Sequence, residues 1–562
     1  MTDKKLIIGN SNFKSLIERN GYFVDKTLFI KELIDNEYDV VLIPRPRRFG
    51  KTLNLSMLRY FFDINEPDTA QLFEPFKIWQ SGEAYVQEQG KYPVIELSLK
   101  DIKESSYENC ELFLKEIIAD LYQKKRYVLV GDFLNDFEKK EFAEIMRKQA
   151  HIVTYKSSLQ KLSQYLFRYH HEKVIILLDE YDNPIHAGYI HGYFSEIIDF
   201  MKSFMGSAFK GNTYLYKGVI TGILRISKES VFSDLNNLGV YTVLNYAFSD
   251  KFGFTEAETF SLLQTFGLGH QFEEVKQWYN GYQMGNSKNI YNPWSMVGFI
   301  AKHEEGFKPH WVNTSSDHLI REQIITKSAH EIRENIGHLL KGGTISKDIN
   351  ENIIFSDLET QQELLWSLLL FSGYLTIDQF VKVKKYLLKI PNYEIKTLFQ
   401  DMILQWLNTG LQLQTSLLQT TIESLTNNQI EKFEHHFKQI MGDTFSYYDI
   451  HTEAERVFQS YVLGLLAILS DDYIIRSNRE SGAGRYDILL LPYDKSRYGI
   501  IIEIKTLAKD ATKRKISMNL NKGLKQMDRN AYFKELLDHK VERQIEMVMV
   551  FAGKEVHIKT KQ

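Results

Sequence analysis

The apolar positions of this chain follow two patterns. Short unbroken runs, rich in β-branched residues, occur at 39–43 (Asp-Val-Val-Leu-Ile), 174–178 (Val-Ile-Ile-Leu-Leu) and 218–223 (Gly-Val-Ile-Thr-Gly-Ile). They predict strands buried on both faces of a parallel sheet, since alternation appears only where one face meets water. After the first run the period becomes helical, and Leu53, Met57 and Tyr60 share one face of "TLNLSMLRYFF". Residues 251–350 are helix-periodic and aromatic-rich with Gly and Pro punctuation, as in "FTEAETFSLLQTFG" and "NPWSMVGFIAKHEEG". The spacing of Trp278, Tyr279, Tyr282, Trp294 and Trp311 predicts core positions more than a base-stacking surface. The stretch beginning "TQQELLWSLLLFSGYL" predicts helix, strand, basic turn, strand, helix, the order of a winged-helix-like module with Lys382, Lys384 and Lys385 at the wing. Finally, Tyr486–Leu491 and Gly499–Ile504 flank a polar turn with Pro492 and Asp494 and predict a hairpin.

Composition narrows the classes. The chain has 562 residues, more than one core accommodates, so about three units are expected. Hydrophobic residues make up 43% and prolines number only 10, a profile of packed domains without long disordered linkers. A formal net charge of -3 excludes wholesale coating of nucleic acid and leaves that case to local basic patches. The one cysteine, Cys110, excludes an internal disulfide and a cysteine-based zinc site, and predicts a reducing compartment. The start "MTDKKLIIGNSNF" lacks the apolar core of a signal peptide, and the apolar run from Leu364 is too short to span a bilayer. A soluble, cytoplasmic protein without membrane contact is expected.

Between the first strand and its helix stand Arg45-Pro46-Arg47-Arg48-Phe49-Gly50-Lys51-Thr52. In a phosphate-binding loop the backbone N–H groups and the helix N-terminus hold phosphate oxygens. Lys51 would reach the β- and γ-phosphates, and the Thr52 hydroxyl would ligate Mg²⁺. Arg45 stands where the G-x-x-x-x-G-K-[ST] pattern has its first glycine, with Pro44 and Pro46 beside it, so the entry turn must differ from the usual one. The second strand ends in Asp179-Glu180, a pattern that brings one carboxylate to the Mg²⁺ water shell and another to an attacking water. The third carries Thr221 at its tip and Arg225 just beyond. Thr221 would sense the γ-phosphate if this strand lies between the other two, and Arg225 would stabilise transferred charge in cis or toward a neighbouring subunit. A solvated turn and surface ion pairs are the plainer readings of the same residues.

In the C-terminal hairpin Glu503 and Lys505 are two apart and share a face, while Asp487 begins the partner strand. Asp487 and Glu503 would bind Mg²⁺ or Mn²⁺ through hard oxygens, helped by the Ile504 carbonyl, and Lys505 would hold or help deprotonate a water. Glu455, on the amphipathic helix "EAERVFQSYVLGLLAIL", is a further carboxylate source. Alternating Glu and Lys on an exposed strand is the plainer reading here.

The series "PRPRRFGKTLNLSML", "PVIELSLK", "IILLDEYDNPI", "TGILRISKESVFSDLNNL", "WYNGYQMG", "YNPWS" and "WVNTS" resembles the AAA-ATPase-like family of bacteria, in which a PD-(D/E)XK nuclease-like domain often follows. The match runs from about Asn10 to Ser316 and again near the C-terminus, and arginine is usual in that family at the position of Arg45. Glu455, Asp487 and Glu503-Ile504-Lys505 resemble the PD-(D/E)XK pattern, with Tyr486 in place of its usual proline. Gln526 and Tyr532 lie where many members place a further active-site glutamine or tyrosine. The resemblance implies an α/β fold: a P-loop, parallel-sheet ATPase domain at 1–250, a helical lid at 251–350, a winged-helix-like module at 351–435 and a restriction-endonuclease-like domain at 436–562. It implies ATP on residues 45–52 with Asp179, Thr221 and Arg225, and Mg²⁺ on Thr52 and Asp179 and again, or Mn²⁺, on Asp487 and Glu503. Catalysis falls to Glu180, Glu455, Asp487, Glu503, Lys505 and Gln526. The partners implied are nucleic acid, DNA ahead of RNA, and other copies of the chain. Two alternatives stay open: a nucleotide-dependent nucleic-acid-binding switch with an inactive nuclease-like domain, and a nuclease in which ATP is structural.

Overall fold

In this computed structural model the structure describes residues 4–226, 232, 235–311, 330–340, 342–352, 363–400, 415–444, 458, 462–463, 465–466, 469, 472–477, 480–481, 484–553 and 555–561. Two compact units emerge, one formed by Met1–Leu319 with Ser346–Ile395, the other by Ile320–Ile345 with Lys396–Gln562.

The first unit is built on a five-stranded sheet of β1 (Val40–Pro44), β2 (Val94–Ser98), β3 (Val174–Asp179), β4 (Leu215–Gly222) and β5 (Leu238–Val240), in the order β2-β3-β4-β1-β5. All its neighbours are parallel. Every residue of β1 and β3 is buried, because helices such as Lys51–Phe62 and Phe194–Phe209 cover the sheet. The strand carrying Thr221 does lie between the other two predicted strands. Register then does the positioning: Ile43 pairs with Thr221 and Pro44 with Gly222, while Asp179 ends the strand on the other side of β4. The loop at 45–50, Asp179 and Thr221 therefore gather at the carboxyl edge of the sheet, where open α/β sheets bind ligands.

Beyond the sheet, helices Glu256–Thr265, Phe272–Tyr279 and Pro293–Ala301 share a core of Leu262, Leu263, Val275, Tyr279, Met296 and Phe299. A small hairpin pairs β6 (Tyr282–Met284) with β7 (Ser287–Ile290). Tyr279, Tyr282 and Trp311 are buried, as a core role requires. The helix Leu364–Ser372, fully buried, leads into β9 (Thr376–Lys382) and β10 (Lys385–Lys389), which with β8 (Ile345–Asp348) form a sheet in the order β8-β10-β9. A helix at 393–400 follows.

The second unit holds a mixed sheet of β11 (Tyr473–Ser477), β14 (Ile488–Pro492), β15 (Gly499–Leu507), β16 (Gln544–Ala552) and β17 (Glu555–Thr560), in that spatial order. A separate short pair joins β12 (Glu480–Ser481) and β13 (Gly484–Arg485). One face packs against helices Thr415–Thr426 and Ile430–Thr444, with Ile422, Phe433 and Ile440 in one core with Ile500, Ile502 and Ile504. The unit thus includes helical residues before 436, and the boundary expected there falls inside a helix whose apolar face belongs to this sheet. The other face is covered by helix Lys513–Asn530, whose Gly523 lies so close to β16 that a Cβ there would stand 2.6 Å from Val548 Cγ1. Overpacking at such a contact costs about 1–3 kcal/mol. Gly523→Leu is therefore expected to lower the unfolding midpoint of the second unit in urea, and an unchanged midpoint would refute this packing.

Candidate nucleotide and metal sites

The loop at 45–50 closes on a left-handed Gly50 (φ 84) that caps helix Lys51–Phe62, and Arg48 is also left-handed (φ 65). Lys51, 4% exposed, places Nζ 3.2 Å from the carbonyls of Arg45 and Pro46 and 3.3 Å from Glu180 Oε1. Across the sheet edge the Asp179 carboxylate accepts from Thr52 Oγ1 at 2.6 Å and from Thr221 Oγ1 at 2.5 Å. One carboxylate so links the loop's helix, β3 and β4. Burial, and next the charge of Glu180, push the Asp179 pKa up, against the pull of the two hydroxyls. Glu180 itself sits in the left-handed region (φ 52), a backbone state costly for a non-glycine residue and frequent at functional sites.

Arg45 corrects one expectation. Its side chain is fully buried, with Nη1 donating to the Pro44 and Tyr241 carbonyls at 2.8 and 2.7 Å and Nη2 to Phe248 O at 3.0 Å. The guanidinium also lies 5.2 Å over the Phe252 ring. Burial pushes its pKa down to about 9, with Glu32 opposing the shift. Its charge is committed to tying the loop to the segment after β5, so it does not present positive charge to a phosphate. The departure from glycine is structural.

The rest of the loop is held from outside by residues distant in sequence. Asn292 Nδ2 and Trp311 Nε1 both donate to Arg47 O, at 3.3 and 3.1 Å. Arg48 lies 4.2 Å over the Trp294 ring, and buried Phe49 meets Tyr282 edge-on at 5.1 Å. These clamps are themselves fixed by buried Glu394, which accepts from Ser295 Oγ at 2.7 Å and from the backbone N–H groups of His310 and Trp311 at 2.5 and 2.8 Å. The segment after β4 is organised in the same way. Asp182 accepts from Ile223 N at 2.8 Å and Leu224 N at 3.0 Å, and Tyr181 donates to Leu224 O at 2.7 Å. Arg225 lies on this fixed segment, half-buried. The clamp residues Asn292, Trp311, Tyr181 and Asp182 stand within motifs quoted above, but their partners are invisible in sequence, and Glu394 carried no signal.

In the second unit the β14/β15 register pairs Ile488 with Ile502, which sets Asp487 opposite Glu503. Asp487 Oδ2 accepts from Ile504 N at 2.7 Å. Glu503, 2% exposed, receives Lys505 Nζ at 2.6 Å and Gln526 Nε2 at 2.7 Å on Oε1. Alternation along β15 explains the grouping: Ile500, Ile502 and Ile504 enter one core and Ile501 the other, so Glu503 and Lys505 share the face under helix Lys513–Asn530. Tyr486, in the place of the usual proline, is buried and packs edge-on to Tyr532 at 6.1 Å, and Tyr532 Oη accepts from Asn530 Nδ2 at 2.9 Å. The structure therefore brings Asp487, Glu503, Lys505 and Gln526 together; Glu455 lies outside the described residues. Among the described residues no group of three or more His, Cys, Asp and Glu forms a metal cluster. The hard-oxygen donors Asp487 and Glu503 nevertheless suit Mg²⁺ or Mn²⁺, as Thr52 and Asp179 suit Mg²⁺.

Residues 7–232 match the family described as predicted AAA-ATPase, and residues 453–561 match the PD-(D/E)XK nuclease superfamily. The chain pairs an AAA-ATPase-like domain with a PD-(D/E)XK domain. It is also similar to a protein of Azotobacter chroococcum mcd 1, described as an uncharacterized protein in the vnfD 5'region. The two are 26% identical over 417 residues, 72% of this chain and 70% of that protein. Among the described residues no helix is long and apolar enough to cross a membrane.

Two predictions follow from the AAA-ATPase-like domain. Arg45→Gly, although it restores the usual glycine, leaves three carbonyls without their charged donor, and bonds of this kind contribute about 1.5–3 kcal/mol each. The variant is expected to lose at least about 3 kcal/mol in denaturant unfolding; equal stability would show that the fork is dispensable. Burial, and then the Glu180 charge, raise the Asp182 pKa to about 6. With the folded value above the unfolded one, the folded state holds the extra proton, so stability falls as pH rises from about 4 through 6. The stability difference between Asp182→Asn and wild type should shift in favour of the variant across that window, and a flat difference would rule this titration out.

Proposed function

We propose that the protein is a nucleotide-dependent nuclease: it binds and hydrolyses ATP at the loop of residues 45–52 and cleaves DNA phosphodiesters, in preference to RNA, at Asp487, Glu503 and Lys505. The observation that carries this reading is the convergence of Glu503, Lys505 and Gln526 within 2.6–2.7 Å on one strand face, with Asp487 across from it. A pairing of Glu with Lys on an exposed strand would leave the carboxylate in water; here Glu503 is buried and oriented by the Gln526 amide, whose Nε2 donates to it at 2.7 Å and more weakly to Tyr532 Oη at 3.4 Å.

In the AAA-ATPase-like domain Lys51 is poised to exchange its bonds with loop carbonyls and Glu180 for phosphate oxygens. That exchange releases the Glu180 carboxylate to orient a water and accept its proton. Thr52 and Asp179 would hold Mg²⁺, and Arg225 would complete the site in cis or toward a neighbouring copy. In the PD-(D/E)XK domain Mg²⁺, when bound by Asp487 and Glu503, supplies Lewis-acid stabilisation of phosphoryl charge. Lys505 holds the attacking water, and Gln526 fixes the Glu503 rotamer. Such a pairing fits a cytoplasmic role in defence against, or processing of, foreign nucleic acid.

The test combines ATP turnover with cleavage of plasmid, linear duplex, single-stranded DNA and RNA in Mg²⁺ or Mn²⁺. Lys51→Ala and Glu180→Gln are expected to lower ATP hydrolysis by about 10²-fold or more. Asp487→Ala with Lys505→Ala should abolish cutting while ATP turnover persists. Cutting that survives the double substitution would overturn the nuclease assignment, and ATP hydrolysis with no cleavage of any substrate would leave a nucleotide-dependent binding switch.

A further inference from the structure

Helix Lys513–Asn530 carries more charge than its packing needs. Six of its 18 residues are Lys or Arg, and its one acid, Asp528, is ion-paired with Lys561. Lys515, Lys522 and Arg529 are seven apart, so at 1.5 Å per residue they stand about 10 Å apart along one line of the helix. By the same periodicity they lie on the flank of Gln526, whose amide reaches Glu503. All three are exposed, and none has an ion pair among the described residues. The opposite flank differs: Asn521 accepts from Lys559 Nζ at 2.8 Å, and Asp528 holds Lys561.

We infer that the flank of Lys515, Lys522 and Arg529 is a phosphate track that lays duplex DNA across the Glu503–Lys505 face, independent of base sequence. The inference rests on the nuclease reading of that face. A row of solvated cations with no ion pair among the described residues is complementary to a regularly spaced polyanion, and releasing condensed counterions makes such contacts favourable. The helix contains no aromatic residue, whereas single-strand binders stack bases on aromatic rings. Backbone contact with a duplex, whose bases are already stacked inside, is what this surface can offer. Gly523 lets the helix sit close to β16, and Gln526, four residues after Lys522 and three before Arg529, reaches Glu503 from the same helix.

The experiment measures affinity of the full chain for a fluorescent duplex DNA over a salt series, in an Asp487→Ala background so that cleavage cannot interfere. Lys515→Gln, Lys522→Gln and Arg529→Gln together are expected to flatten the slope of log K against log salt by about 2–3, roughly 0.9 per lost contact. ATP turnover, read on the same preparation, should be unchanged and reports on the first unit, while an unchanged urea midpoint of the second unit reports that the substituted helix is folded. A matched triple on the rest of the helix, Lys513→Gln, Arg514→Gln and Lys525→Gln, should flatten the slope less. Equal slopes for wild type and the first triple, or equal loss from both triples, would overturn the track even if the nuclease site proves active. Binding of duplex RNA or single strands in preference to duplex DNA would overturn the choice of ligand. Loss of cutting in Asp487→Ala beside intact binding keeps the two readings separable.

Discussion

A guanidinium without water around it fixes the geometry of the loop at 45–50. Arg45 is buried beneath the loop and bonds to three backbone carbonyls, two of them in the segment that follows β5. Extracting a charge from water is costly unless its bonds are replaced; Nε has no hydrogen-bond partner among the described residues, so the bonds of the two terminal nitrogens carry that compensation, and the loop cannot drift without losing them. The same constraint recurs nearby. Glu394 and Asp182 are buried carboxylates held mainly by backbone N–H groups, and each stiffens a segment that bears on the loop or on Arg225. Backbone groups cannot move away as a side-chain partner can. This domain therefore pre-organises the carboxyl edge of its sheet with charges that are committed to the scaffold.

The groups left to act are correspondingly few. Lys51, Glu180, Thr52 and Asp179 bond to one another across the sheet edge, with Asp179 under competing influences of burial and two hydroxyls. Glu180 holds a left-handed backbone state that the buried strand before it and the fixed segment after it maintain. In the PD-(D/E)XK domain the logic is simpler. One strand alternates between two cores, and the face that buries Ile501 also carries Glu503 and Lys505 toward a helix that contributes Gln526. The tyrosine in place of the family's proline packs into that same support.

Much of this was legible in the sequence because it is local. Strands buried on both faces read as unbroken apolar runs, Gly50-Lys51-Thr52 and Asp179-Glu180 lie at their ends, and the two-residue spacing of Glu503 and Lys505 puts both on one face whatever the rest of the chain does. The strand-turn-strand of β9 and β10 followed from the same alternation of apolar and turn residues. What the sequence could not rank was the destination of a charge. Arg45 and Arg48 look alike in "RPRRFG", yet one is sealed under the loop and the other lies over Trp294.

Only the tertiary structure decides such cases, since burial depends on contacts between residues hundreds of positions apart. It placed β4 between β1 and β3, which turned Thr221 from a strand-end hydroxyl into a partner of Asp179. It brought Asn292 and Trp311 onto the carbonyl of Arg47 and revealed Glu394 as their anchor. It also drew helices before residue 436 into the C-terminal core, because an amphipathic helix does not name the sheet it will cover. The sequence by itself determined the elements and the chemistry at their ends; the fold determined which charges face a ligand and which hold the scaffold, because desolvation is a property of the packed chain and not of a residue.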